Sequence, residues 1–317
     1  MGGTFSLEGR PAPGLYLFAW LAAVAGLGVL FIGVQVGPPA RGLLIMAGLL
    51  AIALGLLLAA GYQVLARRGR PPTAYRGPAP LLVFGVFFVV VNALALALVA
   101  LGLDLESPLG ISAALAVQVI GYIVAVWLFA VRSGALSWRD LDLGRSSRPA
   151  RLLADLLIGA GVMVPTTLVI LVVTALVFLA LGVQPPVVVP TPSGVLEIVL
   201  VGIAAVLLVP IGEELFFRGF ALTAWLRDLG ERPAIVRSAL FFALSHIISI
   251  SAPTFDEGAR QALGVVLVIL PLGVILGLLD TRRGLFAAIG AHATYNGLGY
   301  ALGLLAESLP QPISPSG

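Results

Sequence analysis

Gly212-Glu213-Glu214-Leu215-Phe216-Phe217-Arg218-Gly219 sets two adjacent carboxylates and an arginine inside an apolar run that begins near Val195. Charge at membrane depth is costly and marks a functional site by default. On a helix, Glu214 and Arg218 stand at i,i+4 on one face, where pairing lowers the cost of burying either. Glu213 points about 100° away and has no partner on its own helix. A carboxylate so placed is suited to take and return protons.

Composition fixes the setting of that stretch. The 317 residues are 60% hydrophobic and 10% charged, against about 25% charged in a soluble domain. The fold class is therefore all-α, a polytopic transmembrane helical bundle with the lipid bilayer as its first partner. The sequence has no cysteine, which excludes disulfides and thiolate metal sites. All 18 basic residues are arginine and the net charge is +3. No basic run is interleaved with exposed aromatics, so the charge points to membrane orientation and not to nucleic acid.

Apolar runs at Gly14–Val36, Gly42–Ala66, Pro80–Leu103, Leu109–Val131, Leu152–Val183, Val195–Leu226, Ala234–Ser251, Ala262–Leu279 and Leu285–Leu305 each approach the roughly 20 residues a bilayer core requires. They predict about nine spans. The first is too long for a removed signal peptide and is expected to be retained. The chain divides into residues 1–150, holding four spans and an interfacial loop, and residues 151–317, holding five. The chemistry falls within 195–305.

Cytoplasmic loops carry an excess of basic residues. Assigning alternate loops to one side collects Arg10; Arg67, Arg68, Arg70 and Arg76; Arg132, Arg139, Arg145, Arg148 and Arg151; Arg227, Arg232 and Arg237; and Arg282 and Arg283, which is 15 of 18. Arg41 and Arg260 fall on the other side, and Arg218 lies within the membrane. The N-terminus is accordingly expected in the cytoplasm. Trp138–Gly144, with its Trp and alternating Leu, reads as a short segment lying on the headgroups.

The two histidines both lie in apolar runs, His246 after Phe241-Phe242-Ala243-Leu244-Ser245 and His292 before Ala293-Thr294-Tyr295-Asn296. His292 and Asn296 share a face at i,i+4, and Phe242 one turn before His246 can wall that ring from lipid. A lone membrane histidine is most simply a helix-to-helix hydrogen bond. Two histidines, two glutamates, an arginine and an asparagine gathered in the last third of the chain argue for a site. Counted from the ends of their helices, Glu213, His246, His292 and Asn296 lie roughly 12 to 20 Å deep. Pro210 and Gly212 loosen the sixth helix there, and Gly273 with Gly277 lets helices approach closely.

A carboxylate near a histidine can deprotonate water, and a histidine with an amide can donate to an oxyanion, a combination suited to hydrolysing an acyl bond. No HExxH is present. His246 and His292 with a glutamate, Glu213 foremost, have the ligand types of a His₂Glu zinc site, so a divalent metal stays open on residue type alone. Intramembrane Glu and His could also serve a proton-coupled transporter, but polar clusters in both halves, expected of an inverted repeat, are not found.

Glu213-Glu214-x-x-x-Arg218, Phe242-x-x-x-His246 and His292-x-x-x-Asn296, in this order on separate spans, resemble the signature of the CPBP intramembrane proteases, which include the CAAX prenyl endopeptidases and the bacteriocin-processing or Abi proteins. The resemblance covers roughly Val195 to Leu305. It implies an endopeptidase that needs no cofactor and whose site opens to the cytoplasm from within the bilayer; the substrate does not carry over, and a membrane protein or lipidated peptide, cleaved in the cell membrane of a prokaryote, is the expectation. Carried over, Glu213 and His246 activate the water, His292 and Asn296 hold the oxyanion, and Glu214 with Arg218 forms an ion pair that can modulate Glu213. The alternative is a non-catalytic membrane scaffold or bacteriocin-immunity protein of the same fold.

Overall fold

The computed structural model describes residues 6–38, 40–143, 149–186, 192 and 194–308. Gly144, Arg145, Arg148, most of the Pro-rich Gln184–Ser193 loop and the first five residues lie outside them. The described residues form nine helices and no strand: α1 Pro13–Gln35, α2 Ala40–Ala66, α3 Pro80–Ala100, α4 Pro108–Val131, α5 Pro149–Leu181, α6 Val195–Leu229, α7 Glu231–His246, α8 Phe255–Arg283 and α9 Leu285–Ser308. They are an all-helical membrane bundle, each helix falling on one of the nine apolar runs.

Local chemistry sets the boundaries. Pro13, Pro80 and Pro108 open α1, α3 and α4, where a missing N–H costs nothing. The Ser107 hydroxyl caps α4 by accepting from Gly110 N at 3.1 Å, and Thr254 caps α8 through Glu257 N at 3.2 Å. Gly230 (φ +78°) separates α6 from α7 and Gly284 (φ +106°) separates α8 from α9. In each case one residue in a conformation open to glycine turns the chain back on itself.

By length and composition, seven of the helices can cross a membrane: α1 to α6 and α8. The sequence reading expected about nine. The two that differ are instructive, because α7 has 16 residues and α9 has its 24 residues interrupted by the polar stretch His292–Asn296. In α9 the polar residues of the site lower the resemblance to a plain span, whereas α7 is set apart by its length.

Close packing relies on small residues, as expected where lipid tails remove the hydrophobic drive between helices. A methyl group on Gly273 would press on Ala239 and one on Gly277 on Ile235, which brings α8 against α7 in antiparallel register. Gly212 meets Val119 and so fits α6 to α4, while Gly159 meets Ala287 and Gly290 meets Leu156 where α5 crosses α9. The buried core is strongly aromatic, with Phe87, Tyr122, Phe216, Phe217, Phe241 and Phe242 in one cluster.

The arginine-bearing loops meet at one end of the bundle. Arg70 pairs with Asp228 at 3.1 Å, and Tyr75 N donates to the same carboxylate at 3.1 Å. Arg227 pairs with Asp140 at 2.7 Å, and Leu285 N donates to Asp142 at 3.1 Å. These contacts join the α2–α3, α4–α5, α6–α7 and α8–α9 connections. At the opposite end Arg260 donates to Leu181 O and Gln261 to Gln184 O. In the basic end, burial would raise the Asp140 pKa, but donation from the backbone and hydroxyl of Ser137 and the charge of Arg227 hold it below its ordinary value. Burial pushes the Tyr75 phenol up and pulls the Arg67 guanidinium down. Of the expected interfacial segment 138–144, residues up to 143 form a turn with Trp138 exposed and Leu141 buried.

Candidate active site

The site is built on α6, whose backbone alternates between α and π turns. Residues Ile203–Leu208 and Leu215–Leu222 are π-helical, and Val209–Glu214 between them is α-helical. Pro210 has no N–H to give to the preceding turn, and a widened turn next to it is the usual accommodation. Widened turns leave carbonyls for other partners. Asn296 Nδ2 of α9 donates to Ala205 O at 2.9 Å in the first, and the Ser238 hydroxyl of α7 donates to Phe217 O at 3.0 Å in the second.

Glu213 is 7% exposed, His292 3%, and Glu214 and Arg218 are fully buried. Arg218 Nη1 donates to Glu214 Oε1 at 3.0 Å, the i,i+4 contact the spacing predicts. Arg218 Nη2 reaches Gly273 O at 3.4 Å. Glu214 Oε1 also lies 2.7 Å from His292 Nδ1, and the other ring nitrogen, Nε2, lies 3.8 Å from Glu213 Oε2. A carboxylate paired with an arginine can only accept. Nδ1 therefore carries a hydrogen and donates to Glu214, which orients the ring with Nε2 toward Glu213.

Phe242 is the hub. Its ring is 4.5 Å from that of His246 and 5.7 Å from that of His292, both edge-on, and the Arg218 guanidinium sits over it at 4.2 Å. The sequence reading made it a wall for His246; it also packs against His292 and Arg218. His246 Nδ1 makes a 2.7 Å contact with Phe242 O on its own helix.

The structure brings Glu213, Glu214, Arg218 and His292 into direct contact, joins His246 to them through the Phe242 ring, and places Asn296 on Ala205 O farther along α6. His292 and Asn296, grouped by their shared face, have different partners: His292 engages the glutamates of α6, and Asn296 the backbone carbonyl of Ala205, more than two turns before them on the same helix. Glu214 binds His292 as well as Arg218. Among the described residues, which include His246, His292 and Glu213, no three His, Cys, Asp or Glu side chains gather as a group that could hold a metal ion.

Helix α4 contributes a residue that sequence reasoning missed. Tyr122 is buried, one turn after Gln118 on the same helix face and within electrostatic reach of Glu213. Its ring stacks on Phe87 at 4.0 Å and meets Phe216 at 5.1 Å. An amide and a phenol at i,i+4 in an apolar run were the available signal. Asp280 of α8 likewise acts electrostatically on Arg218.

Fold and site together define a multi-pass helical membrane protein with a carboxylate–arginine–histidine cluster buried at its centre. Residues 194–298 match the model of the Rce1-like family, described as type II CAAX prenyl endopeptidase Rce1-like. The matched segment, about a third of the chain, runs from the start of α6 into α9 and contains Glu213, Glu214, Arg218, Phe242, His246, His292 and Asn296. It agrees with the family class that the three motifs resemble. No curated protein and no solved structure matches the chain.

Proposed function

We propose that this protein is an intramembrane endopeptidase that hydrolyses a peptide bond in a membrane-associated or lipidated substrate. The observation that carries the reading is the arrangement Arg218–Glu214–His292 facing Glu213. It lies inside a segment matching a protease family. Glu213 takes a proton from water, and the resulting hydroxide adds to the scissile carbonyl carbon as the carbonyl electron pair moves to oxygen. His246 helps to position that water.

The ring of His292 has Nδ1–H committed to Glu214, which leaves Nε2 for chemistry. The imidazolium form donates from Nε2 and can hold the oxyanion. Asn296 gives one amide hydrogen to Ala205 O and keeps a second for the oxyanion. Collapse of the intermediate breaks the C–N bond, and the proton held by Glu213 goes to the leaving amine. Glu214 and Arg218 act by orienting His292. The site is read as opening to the cytoplasm, because the basic loops lie at the end of α9 from which His292 is two turns removed.

The test is mass spectrometry of products from a membrane-associated peptide incubated with the full chain in proteoliposomes. The native protein should yield paired fragments, and Glu213→Gln none at comparable folded yield. Asn296→Ala should lower kcat by about 10²–10³ with KM nearly unchanged. Equal fragment yields from native protein and Glu213→Gln would overturn the assignment.

A further inference from the structure

Helices α1 and α2 lie outside the family-matched segment and form a hairpin that packs by glycine: Gly26 against Gly48 and Ile52, Gly33 against Ile45, and Gly55 against Ala19 and Ala23. Toward the basic end the pair opens into a cavity of about 290 Å³, whose lining includes Tyr16, Ala19, Trp20, Ala59, Tyr62 and Gln63. The lining is mostly apolar, its polar groups being those of Tyr16, Trp20, Tyr62 and Gln63. Leu56 also lines it and touches the space beside Gly85, and Gln63 Oε1 accepts from Ala79 N at 2.6 Å, so the cavity lies on the side of the hairpin that turns toward α3.

One cation stands at its mouth. The Arg10 guanidinium lies 3.6 Å over the Tyr16 ring and donates to the Tyr62 hydroxyl at 3.0 Å. Tyr16 and Tyr62 are themselves 5.3 Å apart. The cavity is therefore apolar along its length, aromatic at its rim and cationic at its end, and that end is the one where Arg67, Arg68 and Arg70 follow α2. An apolar slot with a guanidinium at headgroup level matches one molecule with both parts, an acyl chain joined to a phosphate. The volume, at the low end for a ligand pocket, suits one chain and not a whole lipid.

We infer that the α1–α2 cavity is a binding site for one anionic phospholipid, its phosphate on Arg10 and one acyl chain between Tyr16, Trp20 and Ala59. The site does not depend on the proteolytic reading. It gives a role to two helices that contribute nothing to the catalytic cluster.

The test is native mass spectrometry of the delipidated full chain, titrated with dioleoyl phosphatidylglycerol, dioleoyl phosphatidylcholine or inorganic phosphate. Native protein should take up one phosphatidylglycerol in preference to phosphatidylcholine. Arg10→Gln should weaken phosphatidylglycerol about fivefold, as expected for one arginine at the surface, and abolish the preference. Ala59→Leu, which fills the slot, should lower uptake of both lipids. Thermal midpoints of both variants without lipid should stay near native. Unchanged uptake in Arg10→Gln and Ala59→Leu would overturn the inference, and so would equal competition by inorganic phosphate, which would place the affinity in the headgroup alone.

Discussion

Breaking the Glu214–Arg218 pair gives the sharpest test of how the site is held. Both side chains are fully buried and 3.0 Å apart. Arg218→Met leaves a carboxylate with His292 as its remaining partner, and Glu214→Leu leaves a guanidinium over Phe242 with one long bond to Gly273 O. Removing one member of a buried pair costs about 3–5 kcal/mol, because the other charge stays in a low-dielectric place. The two single variants should therefore lose about 6–10 kcal/mol between them. The double variant strands no charge. It loses the contact over Phe242, up to about 2 kcal/mol when desolvated, and leaves His292 Nδ1 without its acceptor, about 1–3 kcal/mol.

The double variant should then lose about 1–5 kcal/mol, less than the sum of the singles by several kcal/mol. The measurement is reversible unfolding of native protein, both singles and the double in the same bicelles, closed as a double-mutant cycle. Additive losses would refute the reasoning. They would mean that each residue stabilises the bundle through separate neighbours, and that Arg218 does not hold Glu214 in place for His292.

Three further outcomes are expected. Glu106→Cys, in the Leu103–Pro108 loop, should label from outside, and Arg68→Cys only after permeabilisation; the reverse pattern would invert the orientation read from the arginines. Purified protein should contain no stoichiometric zinc by elemental analysis, and one tightly held zinc whose removal abolishes activity and whose return restores it would replace the water-activation scheme. Tyr122→Phe keeps the ring against Phe87 and removes the hydroxyl near Glu213. It should lower kcat about five- to tenfold at unchanged KM, and native kinetics would remove Tyr122 from the site.

The helices were legible in the sequence because their signal is local. Apolar length marks each of α1 to α9 to within a few residues, except where His246 ends α7 early and Phe255 opens α8 ahead of its apolar run. The Glu214–Arg218 contact was legible for the same reason, since i,i+4 geometry needs one helix and nothing else. What α9 faces is not local. Spacing puts His292 and Asn296 on one side, yet their partners depend on which α6 atoms lie opposite, and those depend on two π turns that no single-helix pattern states. Pro210 hinted at the first. Ser238, four residues before Phe242, carried the second, but a serine in a span is too common to read as the partner of a widened turn. Tyr122 was hidden because it lies some ninety residues before Glu213.

The family-matched segment is not a self-contained unit. Within it, α6, α7, α8 and α9 bring together the carboxylates, both histidines and Arg218, but α4 and α5 complete the walls. Val119 fits against Gly212 beside Glu213, Tyr122 adds a phenol, and α5 locks α9 in place through Gly159 and Gly290 on either side of Leu156 and Ala287. The His292 ring can meet Glu214 at 2.7 Å only while α9 keeps its register along α6. Three contacts report that register: Gly297 beside Val206, Tyr300 OH on Ile198 O and Asn296 on Ala205 O. A one-turn slip of α9 would carry His292 about 5.4 Å from Glu214, far beyond a hydrogen bond. Helix α5 has no acid, base or amide in the cluster, yet the chemistry at His292 depends on its grip.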